Sequence, residues 1–330
     1  MNEKKGSRSS PTQKRQRRYH LHRGRRRPNG CPSGKETIVT NSSAPAGNLE
    51  VSHAYEERWV TLDGARMRYL HSGSGSALVL VHGLLGYSFS WRFNIPVLSR
   101  QSTVYAVDML GAGFSDRPAG LDSSLRPSAE RLLRFMDEAG VASCDLLGTS
   151  RGGAVAMMAA ALAPQRIRRL ILPDPVNPWS LHGRRVAAFL SNRAVSALFL
   201  WLAPLMPSAH SLVLRRLYGD TRRISPGTLA GYSAPLHIPG ALEHALGVLR
   251  TWSEDLQQLE SMLPRIAHIP TLLIWGSRDR AVYPASARAL QEHFQHCRLV
   301  MMEGVGHLPY EEAPEAFNRT VREFLARPPA

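Results

Sequence analysis

The chain has 330 residues, 43% of them apolar, so it is long enough for one large domain or two small ones with a substantial core. Its three cysteines include no Cys-x-x-Cys pair, which argues against a zinc site and against a disulfide framework. The net charge of +15 is uneven: residues 1–35 contain twelve of the 41 basic residues and one of the 26 acidic residues, and therefore carry +11 of it.

Residues 1–54 differ from the rest of the chain in composition. The first 35 are rich in Arg, Ser, Gly and Pro, and cannot bury enough apolar surface to order themselves. Three interpretations stay open: a solvated disordered tail, an extension upstream of the true start, or a basic patch for nucleic acid or anionic lipid. Tyr19 is the only aromatic residue there, so base stacking and nucleic acid are disfavoured. We predict disorder over 1–54, with weak contact between residues 1–35 and an anionic surface left open.

The sequence also bears on localisation. Residues 1–50 contain no apolar run of seven residues, which a secretory signal requires. The apolar stretch Val186–Leu205 is interrupted by Asn192, Arg193 and Pro204, and is too polar for a membrane span. We therefore expect a cytoplasmic protein, with peripheral membrane contact as the alternative.

Strand-like and helix-like segments alternate from about residue 55 onward, which indicates an α/β fold with a parallel sheet. The dipeptide Asp63-Gly64 separates Arg58–Leu62 from Ala65–His71 and favours the tight turn of a hairpin. Six short apolar runs follow, typical of strands buried on both faces. They are Ala77–Val81, Thr103–Val107, Cys144–Leu147, Arg169–Leu172, Thr271–Trp275 and Arg298–Met302. The sequence thus predicts an eight-stranded, mostly parallel sheet.

Helical segments are predicted between these strands, on both faces of the sheet. They are Ala129–Ala139, Arg151–Ala163, Pro284–Phe294 and Pro314–Leu325. From 177 to 251, helix-like segments follow one another without strands. We therefore divide the chain into a sheet core, formed by 55–176 and 252–330, and a helical cap inserted at 177–251.

One motif indicates a nucleophile. A buried strand leads directly into Gly148-Thr149-Ser150-Arg151-Gly152 and then into an Ala-rich helix. The glycines suit a sharp strand-to-helix turn, which strains the serine and lifts its hydroxyl above the sheet. The strand–turn–helix context makes Ser150 the predicted nucleophile.

A serine nucleophile needs a base, and the base needs an acid that orients it. His307 follows the last predicted strand and is flanked by small residues, so its loop can approach the serine. Asp279 follows the preceding strand, and the order Ser150, Asp279, His307 is the one that this motif predicts. Asp174, at the end of an earlier strand, is the competing acid; its alternative role is to bind backbone amides of a loop.

Acyl transfer by a serine also requires N–H donors for the negative oxygen that develops on the carbonyl. The backbone N–H of Arg151 is one predicted donor. The second is assigned to Leu84, with Gly83 as the alternative, because the glycine-containing segment 82–86 follows the first parallel strand. His82 is expected to brace this loop rather than to transfer protons.

Five blocks, in this order, resemble the α/β-hydrolase superfamily in its cap-bearing branch. They are His82-Gly83, Asp108–Ser115, Gly148–Gly153, Trp275–Asp279 and Gly306-His307. That branch includes esterases, lipases, lactonases, carbon–carbon bond hydrolases and haloperoxidase-like enzymes without cofactors. The resemblance covers residues 55–327 and implies that Asp108–Ser115 is a structural turn.

Two residues refine the resemblance. Epoxide hydrolases and haloalkane dehalogenases of the same branch use an aspartate where this chain has Ser150, which argues against both activities. Arg151 departs from the family, which often has Met or another uncharged residue there. Its side chain either pairs with a nearby acid or lies near an acidic substrate.

The resemblance and the motifs together imply a serine hydrolase that cleaves a carboxylic ester or related acyl compound through an acyl-enzyme. A carbon–carbon bond hydrolase and an acyltransferase are the alternatives within enzymes. Two alternatives come from other classes: a non-catalytic ligand-binding protein, and a protein whose basic tail binds a polyanion. No metal or organic cofactor is implied, and the oligomeric state is not indicated.

The expected substrate is a small molecule with an apolar acyl or aromatic portion. The expected pocket is lined by Leu85, Tyr87 and Trp91 from the loop after the first parallel strand and by Trp201 from the cap. The cap is inserted after the strand Arg169–Leu172, so it emerges at the sheet edge where ligands bind in α/β proteins.

Overall fold

The computed structural model describes residues 37–39, 55–180, 184–202 and 207–327. Within these residues a single sheet contains nine strands. They are β1 (Thr37–Val39), β2 (Glu56–Leu62), β3 (Ala65–Ser72), β4 (Ser76–Val81), β5 (Ser102–Val107), β6 (Cys144–Gly148), β7 (Ile167–Pro173), β8 (Thr271–Gly276) and β9 (Cys297–Met302). Their order across the sheet is β1-β9-β8-β7-β6-β4-β5-β3-β2.

The predicted sheet is confirmed. All eight predicted strands are present, and every pairing is parallel except β2 with β3 and β3 with β5. The hairpin turns at Asp63 and Gly64, whose φ angles of 50° and 81° suit a tight primed turn. Strand β2 is largely exposed because it is the last strand at this edge, whereas all of β6 and β8 is buried.

The ninth strand, β1, was not predicted. It pairs in parallel with Val300–Met302 of β9 and lies inside the segment 1–54, so the prediction of disorder does not hold for these three residues. Their letters explain the departure, because Thr37, Ile38 and Val39 are all β-branched and suit an extended edge strand. The other residues of 1–54 lie outside the described residues.

Two hydrophobic clusters cover the two faces of the sheet. Along β4 the side chains alternate: Val79 and Val81 belong to the first cluster, and Leu78 and Leu80 to the second. The helices of the core are α1 (Ile95–Leu98), α2 (Leu125–Glu138), α3 (Arg151–Leu162), α9 (Ala285–Gln291), α10 (Pro309–Glu312) and α11 (Pro314–Leu325). Side chains of α2, α3 and α9 join the first cluster and those of α1 and α11 the second, so both faces carry helices.

Among the described residues, five α-helices separate β7 from β8. They are α4 (Arg184–Ser191), α5 (Arg193–Leu202), α6 (Pro207–Leu217), α7 (Thr228–Ser233) and α8 (Ala241–Met262). Helix α8 continues past the expected cap boundary at 251 and places Leu256 and Leu259 in the first cluster. The predicted cap segment and the predicted core therefore share one helix. No helix in the described ranges has the length and apolarity needed to cross a membrane.

Candidate active site

Ser150 lies at the turn between β6 and α3, in a backbone conformation that L-residues rarely adopt. Its φ and ψ angles are 51° and −124°, a strain that persists only where the surrounding structure enforces it. A side chain on Gly148 would collide with the backbone of Gly152, and one on Gly152 would collide with the carbonyl of His82. The two glycines are thus required by close backbone approach, as the motif predicted.

The predicted site residues follow strands that are neighbours in the sheet. Ser150 follows β6, Asp174 follows β7, Asp279 comes three residues after β8, and His307 lies in the loop after β9. Because all four strands are parallel, their carboxyl ends meet at one edge. The sheet order thus brings residues up to 157 positions apart in the chain to the same edge of the sheet.

His307 and Asp279 are joined by a hydrogen bond of 2.7 Å between Nδ1 and Oδ2, and both are buried. The other oxygen of Asp279 accepts the N–H groups of Ala281 and Val282, at 2.7 and 3.0 Å. Since an ionised carboxylate only accepts, Nδ1 of His307 carries a proton and Nε2 is left with a lone pair. In the described part of the chain, no hydrogen bond joins Ser150 to His307, and such contacts are often long without substrate.

Asp174, the competing acid, lies beside this pair. Its Oδ1 accepts the N–H of Gly276 at 3.0 Å, so it does bind a backbone amide, but one in β8 rather than in its own loop. One nitrogen or oxygen atom from each of Asp174, Asp279 and His307 lies within 4.8 Å of the others. The proton on Nδ1 of His307 already occupies the space between two of these groups, so we assign them as a hydrogen-bonded group rather than as cation ligands.

The loop after β4 lies against the serine. A methyl group built on Gly83 would be 3.0 Å from Cβ and 3.6 Å from Oγ of Ser150. The loop turns at Gly83–Gly86, where the N–H of Gly86 donates to the carbonyl of Gly83 and Leu85 adopts a φ of 60°. Leu84, the predicted donor, is in the middle of this turn.

His82 braces the loop, as expected. Its Nδ1 bonds the carbonyl of Gly83 at 2.8 Å, and its Nε2 accepts the N–H of Met109 at 3.1 Å. This assignment requires the neutral Nδ1–H tautomer. Burial lowers the pKa of His82, which favours the neutral form.

The side chain of Arg151 is buried between the segment that precedes α2 and helix α8. It donates to the carbonyl of Ser123 at 3.0 Å and lies 3.5 Å from the carboxylate of Asp255 on α8. Burial lowers the pKa of Arg151 to about 10, so the side chain remains charged at neutral pH. Of the two alternatives left open by the sequence, pairing with a nearby acid is the one observed.

The block Asp108–Ser115 forms a turn after β5, and its polar side chains, Asp108 and Ser115, are hydrogen-bonded within the core. The carboxylate of Asp108 accepts the N–H groups of Ser88 and Phe114 and an ion pair from Arg68. The hydroxyl of Ser115 donates to the carbonyl of Asp108. The implied structural role therefore agrees with these contacts.

A cavity of about 40 Å³ lies between the loop after β4, the start of α3 and helix α8 of the cap. Its lining is largely apolar and includes Leu84, Leu85, Met109, Leu110, Val155 and Val248. The polar residues of its lining are His82, Ser128, Arg131, Arg151 and His244, and Ser150 does not line it. Burial lowers the pKa of His244 to about 4, and Arg151 acts in the same direction.

The four predicted pocket residues have different positions. Leu85 lines the cavity described above. Tyr87 is buried and donates its hydroxyl proton to the carbonyl of Gly231 in the cap, so it joins cap to core. Trp91 is a correction: it is fully buried against Tyr310, with ring centres 4.7 Å apart, because its side chain points into the second hydrophobic cluster. The side chain of Trp201 lies outside the described residues.

Sequence reasoning missed an acidic pair, Glu311 and Glu312, which ties the cap to the His307 loop. Glu312 accepts the N–H groups of Gly219, Asp220 and Gly306 at 2.8–2.9 Å. The N–H of His307 itself donates to the carbonyl of Leu217, the last residue of α6, at 2.7 Å. The loop that carries the histidine is thus bonded directly to the cap.

Glu311 makes the second half of this connection. It receives two hydrogen bonds of 2.9 Å from Arg92 and one of 2.7 Å from the hydroxyl of Tyr218, and it also accepts from Tyr232. A signal was present in the sequence, since two adjacent acids in the otherwise apolar Leu308–Pro314 must find buried partners. Their partners, most of them in the segment 177–251, could not be read from spacing.

The chain is an α/β protein whose mostly parallel sheet has helices on both faces. Its candidate site lies at one edge of the sheet, where Ser150 follows β6 and the pair Asp279–His307 follows β8 and β9. A family model described as alpha/beta hydrolase fold matches residues 76–314. The chain therefore belongs to the α/β-hydrolase fold family, and its relatives indicate an enzyme of this kind.

Three similar proteins illustrate the range of the family. The dihydrolipoyllysine-residue acetyltransferase component of the acetoin cleaving system of Cupriavidus necator is 29% identical over 282 residues, which cover 85% of this chain and 71% of that protein. Haloalkane dehalogenase 2 of Mycobacterium tuberculosis is 27% identical over 284 residues, covering 82% and 95%. The crystal structure of Cfl2 from Burkholderia cenocepacia has a TM-score of 0.73 at 23% identity, covering 82% and 96%, and shows the shared fold.

Proposed function

We propose that the protein is a serine hydrolase that cleaves a carboxylic ester or a related acyl compound. One observation carries the proposal: Ser150 occupies a strained turn at the start of α3, against Gly83 and beside the strands that lead to the bonded pair His307–Asp279. Strained backbone at such a turn is typical of a nucleophile. In the dehalogenases of the family an aspartate takes this position, so we do not propose dehalogenation.

The proposed reaction has two halves. The Ser150 oxygen attacks the carbonyl carbon while Nε2 of His307 takes its proton. The carbon–oxygen bond to the alcohol then breaks, and His307 protonates the departing alcohol. Water repeats the attack on the acyl-enzyme, gives its proton to His307, and the acid leaves as Ser150 recovers that proton.

Three groups support the charges that develop. Asp279 holds the Nδ1–H of His307 and stabilises the imidazolium. The N–H groups of Arg151 and Leu84 are the proposed donors to the oxyanion, and losing one such donor typically costs about 3–4 kcal/mol of transition-state stabilisation. The cation of Arg151 is already paired with Asp255, so only its backbone has a role in this proposal.

The apolar lining of the cavity supports a substrate with an apolar acyl or aromatic portion. The cavity borders Leu84 and Arg151, the two proposed donors. Each methylene group buried there contributes about 0.8 kcal/mol. The ratio kcat/KM for p-nitrophenyl esters should therefore rise several-fold per two carbons until the cavity is filled, and a flat profile would remove the case for an apolar acyl site.

The decisive variant is Ser150→Ala, which should reduce ester turnover by roughly 10⁴-fold or more because the triad acts as a unit. A fluorophosphonate probe should label wild-type protein at Ser150 only. The exposed Ser261, on α8, provides the control, and Ser261→Ala should leave labelling and turnover unchanged. Label on another serine, or full turnover in Ser150→Ala, would refute the proposal.

A second candidate is acyl transfer to an acceptor other than water. It is favoured by the relative named an acetyltransferase component, with which 85% of this chain aligns. The same acyl-enzyme serves both reactions, so partition between water and added alcohol or thiol acceptors distinguishes them. A lactone and a vinylogous diketone in the same assay test ring opening and carbon–carbon cleavage.

A further inference from the structure

One carboxyl oxygen of Asp174 lacks a hydrogen-bond partner among the described residues. The residue is fully buried directly after β7, and its φ of 43° fixes it in a conformation unusual for a non-glycine residue. Its N–H donates to the carbonyl of Ile274, and its Oδ1 accepts from Gly276. In the part of the chain that the structure describes, Oδ2 has no hydrogen-bond partner. A buried carboxylate oxygen left in this state would be strongly unfavourable.

The neighbour of this carboxyl group is another acid. Asp279 uses Oδ1 to accept two backbone N–H groups and Oδ2 to accept the Nδ1–H of His307, so it is bonded as an ionised acceptor. Asp174 lies within the same 4.8 Å cluster. Two carboxyl groups this close in a buried site do not both ionise readily, and one of them keeps a proton.

We propose that Asp174 keeps its proton and donates it, in a hydrogen bond from Oδ2, to the carboxylate of Asp279. The proposal rests on the proposed function, because it makes Asp174 a positioning residue for the acid that orients His307. The pair then holds one negative charge and one proton. The proton satisfies the otherwise unpaired Oδ2 of Asp174 and adds a charge-assisted hydrogen bond to Asp279.

The surroundings of Asp174 favour this state. Burial is the largest cause that raises the pKa of Asp174 well above its usual range, followed by the charge of Asp279. Glu312, from α10, acts in the same direction. Only the N–H of Gly276 opposes them. The remaining titratable neighbours, His307 and Tyr310, bring no permanent positive charge.

The proposal distinguishes Asp174 from a second triad acid. An ionised Asp174 would place a second negative charge beside His307 and would favour the imidazolium. A protonated Asp174 adds no charge and acts only through the position of Asp279. If Asp174 is ionised, Asp174→Asn removes a negative charge and should shift the pH dependence of activity. If Asp174 is protonated, the same substitution should leave that dependence unchanged.

Two variants separate the donor from the charge. Asp174→Asn keeps an N–H donor for Asp279 and an acceptor for Gly276, whereas Asp174→Leu has similar size and neither group. For hydrolysis of p-nitrophenyl butyrate, we expect kcat of Asp174→Asn within about threefold of wild type and kcat of Asp174→Leu about tenfold or more below it. Equal activity in both variants would mean that the donor has no role and would overturn the proposal.

The pH profile gives the sharper result. In Asp174→Asn, the pH at which kcat/KM falls to half on the acid side should stay where it is in wild type, because no charge is removed. A shift of that midpoint to lower pH by about a unit or more would show that Asp174 is ionised in the wild type and would overturn the proposal. If Asp174→Leu does not fold, this profile still decides.

A readout that needs no activity separates this proposal from the proposed function. Because the folded state holds a proton that the unfolded state has lost above about pH 4, Asp174 lowers stability as the pH rises. Asp174→Asn should therefore gain stability over wild type in urea at about pH 8, and the gain should shrink toward about pH 4. The infrared band of a protonated carboxyl should be present at the higher pH in wild type and absent from Asp174→Asn.

The outcomes are distinct. No fluorophosphonate label at Ser150, with the infrared band and the stability trend intact, would refute the serine hydrolase and leave the proton on Asp174. Label at Ser150, with neither the band nor the trend, would refute the shared proton alone.

Discussion

The strand ends of the core and the root of the cap hold the same site in different ways. At the strand ends, Ser150 and Asp279 are fixed by backbone contacts within their own loops and neighbouring strands. The cap root is defined here as Leu217–Tyr232, the segment that begins at the end of α6. It is held by hydrogen bonds to the buried side chains of Glu311 and Glu312. The first arrangement depends on chain topology and the second on two individual carboxylates. Single substitutions should therefore affect the second more directly.

The cap itself is divided in the same way. Its root is bonded to the His307 loop, whereas α4 and α5 present Phe189 and Leu198 to solvent, 65% and 56% exposed. The root can therefore influence the position of the histidine. Substitutions on the exposed faces of α4 and α5 should have little effect on stability.

The largest effect is expected at Glu312. Glu312→Leu removes the acceptor of three backbone N–H groups and of Arg223, so stability should fall by roughly 3–5 kcal/mol. Because one of those groups precedes His307, kcat should also fall, by about tenfold or more. Urea unfolding and ester turnover measure the two losses.

Two further variants sharpen this prediction. Glu315→Leu, at an exposed position of α11, is the matched control and should change neither quantity. Glu311→Gln weakens the pairing with Arg92 but touches no residue of the His307 loop. It should reduce stability with a smaller loss of kcat, and equal losses of kcat at both acids would contradict the division between them.

An intermediate effect is expected from the pH dependence of stability at His244. Its pKa lies near 4 in the folded protein, below its ordinary value, so the unfolded chain binds a proton that the folded chain excludes. Stability is thus lost as the pH falls from about 6.5 toward 4, by at most roughly 3 kcal/mol. His244→Asn keeps a partner for the hydroxyl of Ser123 and should lose less stability over this range.

Urea unfolding at about pH 7 and pH 5 measures this difference. His268 is exposed, and His268→Asn serves as the control, which should lose as much stability as wild type. If wild type and His244→Asn lost the same stability between these two pH values, His244 would not be the group from which folding excludes a proton.

The smallest effect is expected on the exposed face of α4. Phe189→Ser should change stability by less than about 0.5 kcal/mol, because the side chain is mostly in water already. If α4 controls access, KM for a long-chain ester should change while KM for the acetate does not. Thermal unfolding and steady-state kinetics test both parts, and a large fall in the unfolding midpoint would place Phe189 among the cap's stabilising contacts.

How far the sequence predicted the molecule depended on the range of the interactions. The sheet was predictable because its buried strands form continuous apolar runs, and the turn at Ser150 because close backbone approach demands glycine at 148 and 152. The pair His307–Asp279 followed from the position of each residue after a strand. These features are local, so each can be recognised from residues that are adjacent in the sequence.

The errors concern contacts between distant segments. Trp91 was assigned to the pocket because it lies near the loop after β4, but its side chain packs on Tyr310, more than two hundred residues away. The partner of Arg151 was undecided for the same reason, since Asp255 is on α8. Strand β1 was hidden in a basic, polar segment, and only its pairing with β9 defines it.

Helix α8 has a consequence for engineering. It begins in the cap and ends in the core, and its Asp255 accepts the first N–H of α2 as well as facing Arg151. A chimera that exchanged the cap at residue 251 would cut through this helix and separate His244 from Asp255. Recombination with a relative should therefore place its second junction after Met262, in the turn before β8, so that the foreign segment brings or matches an acid at position 255.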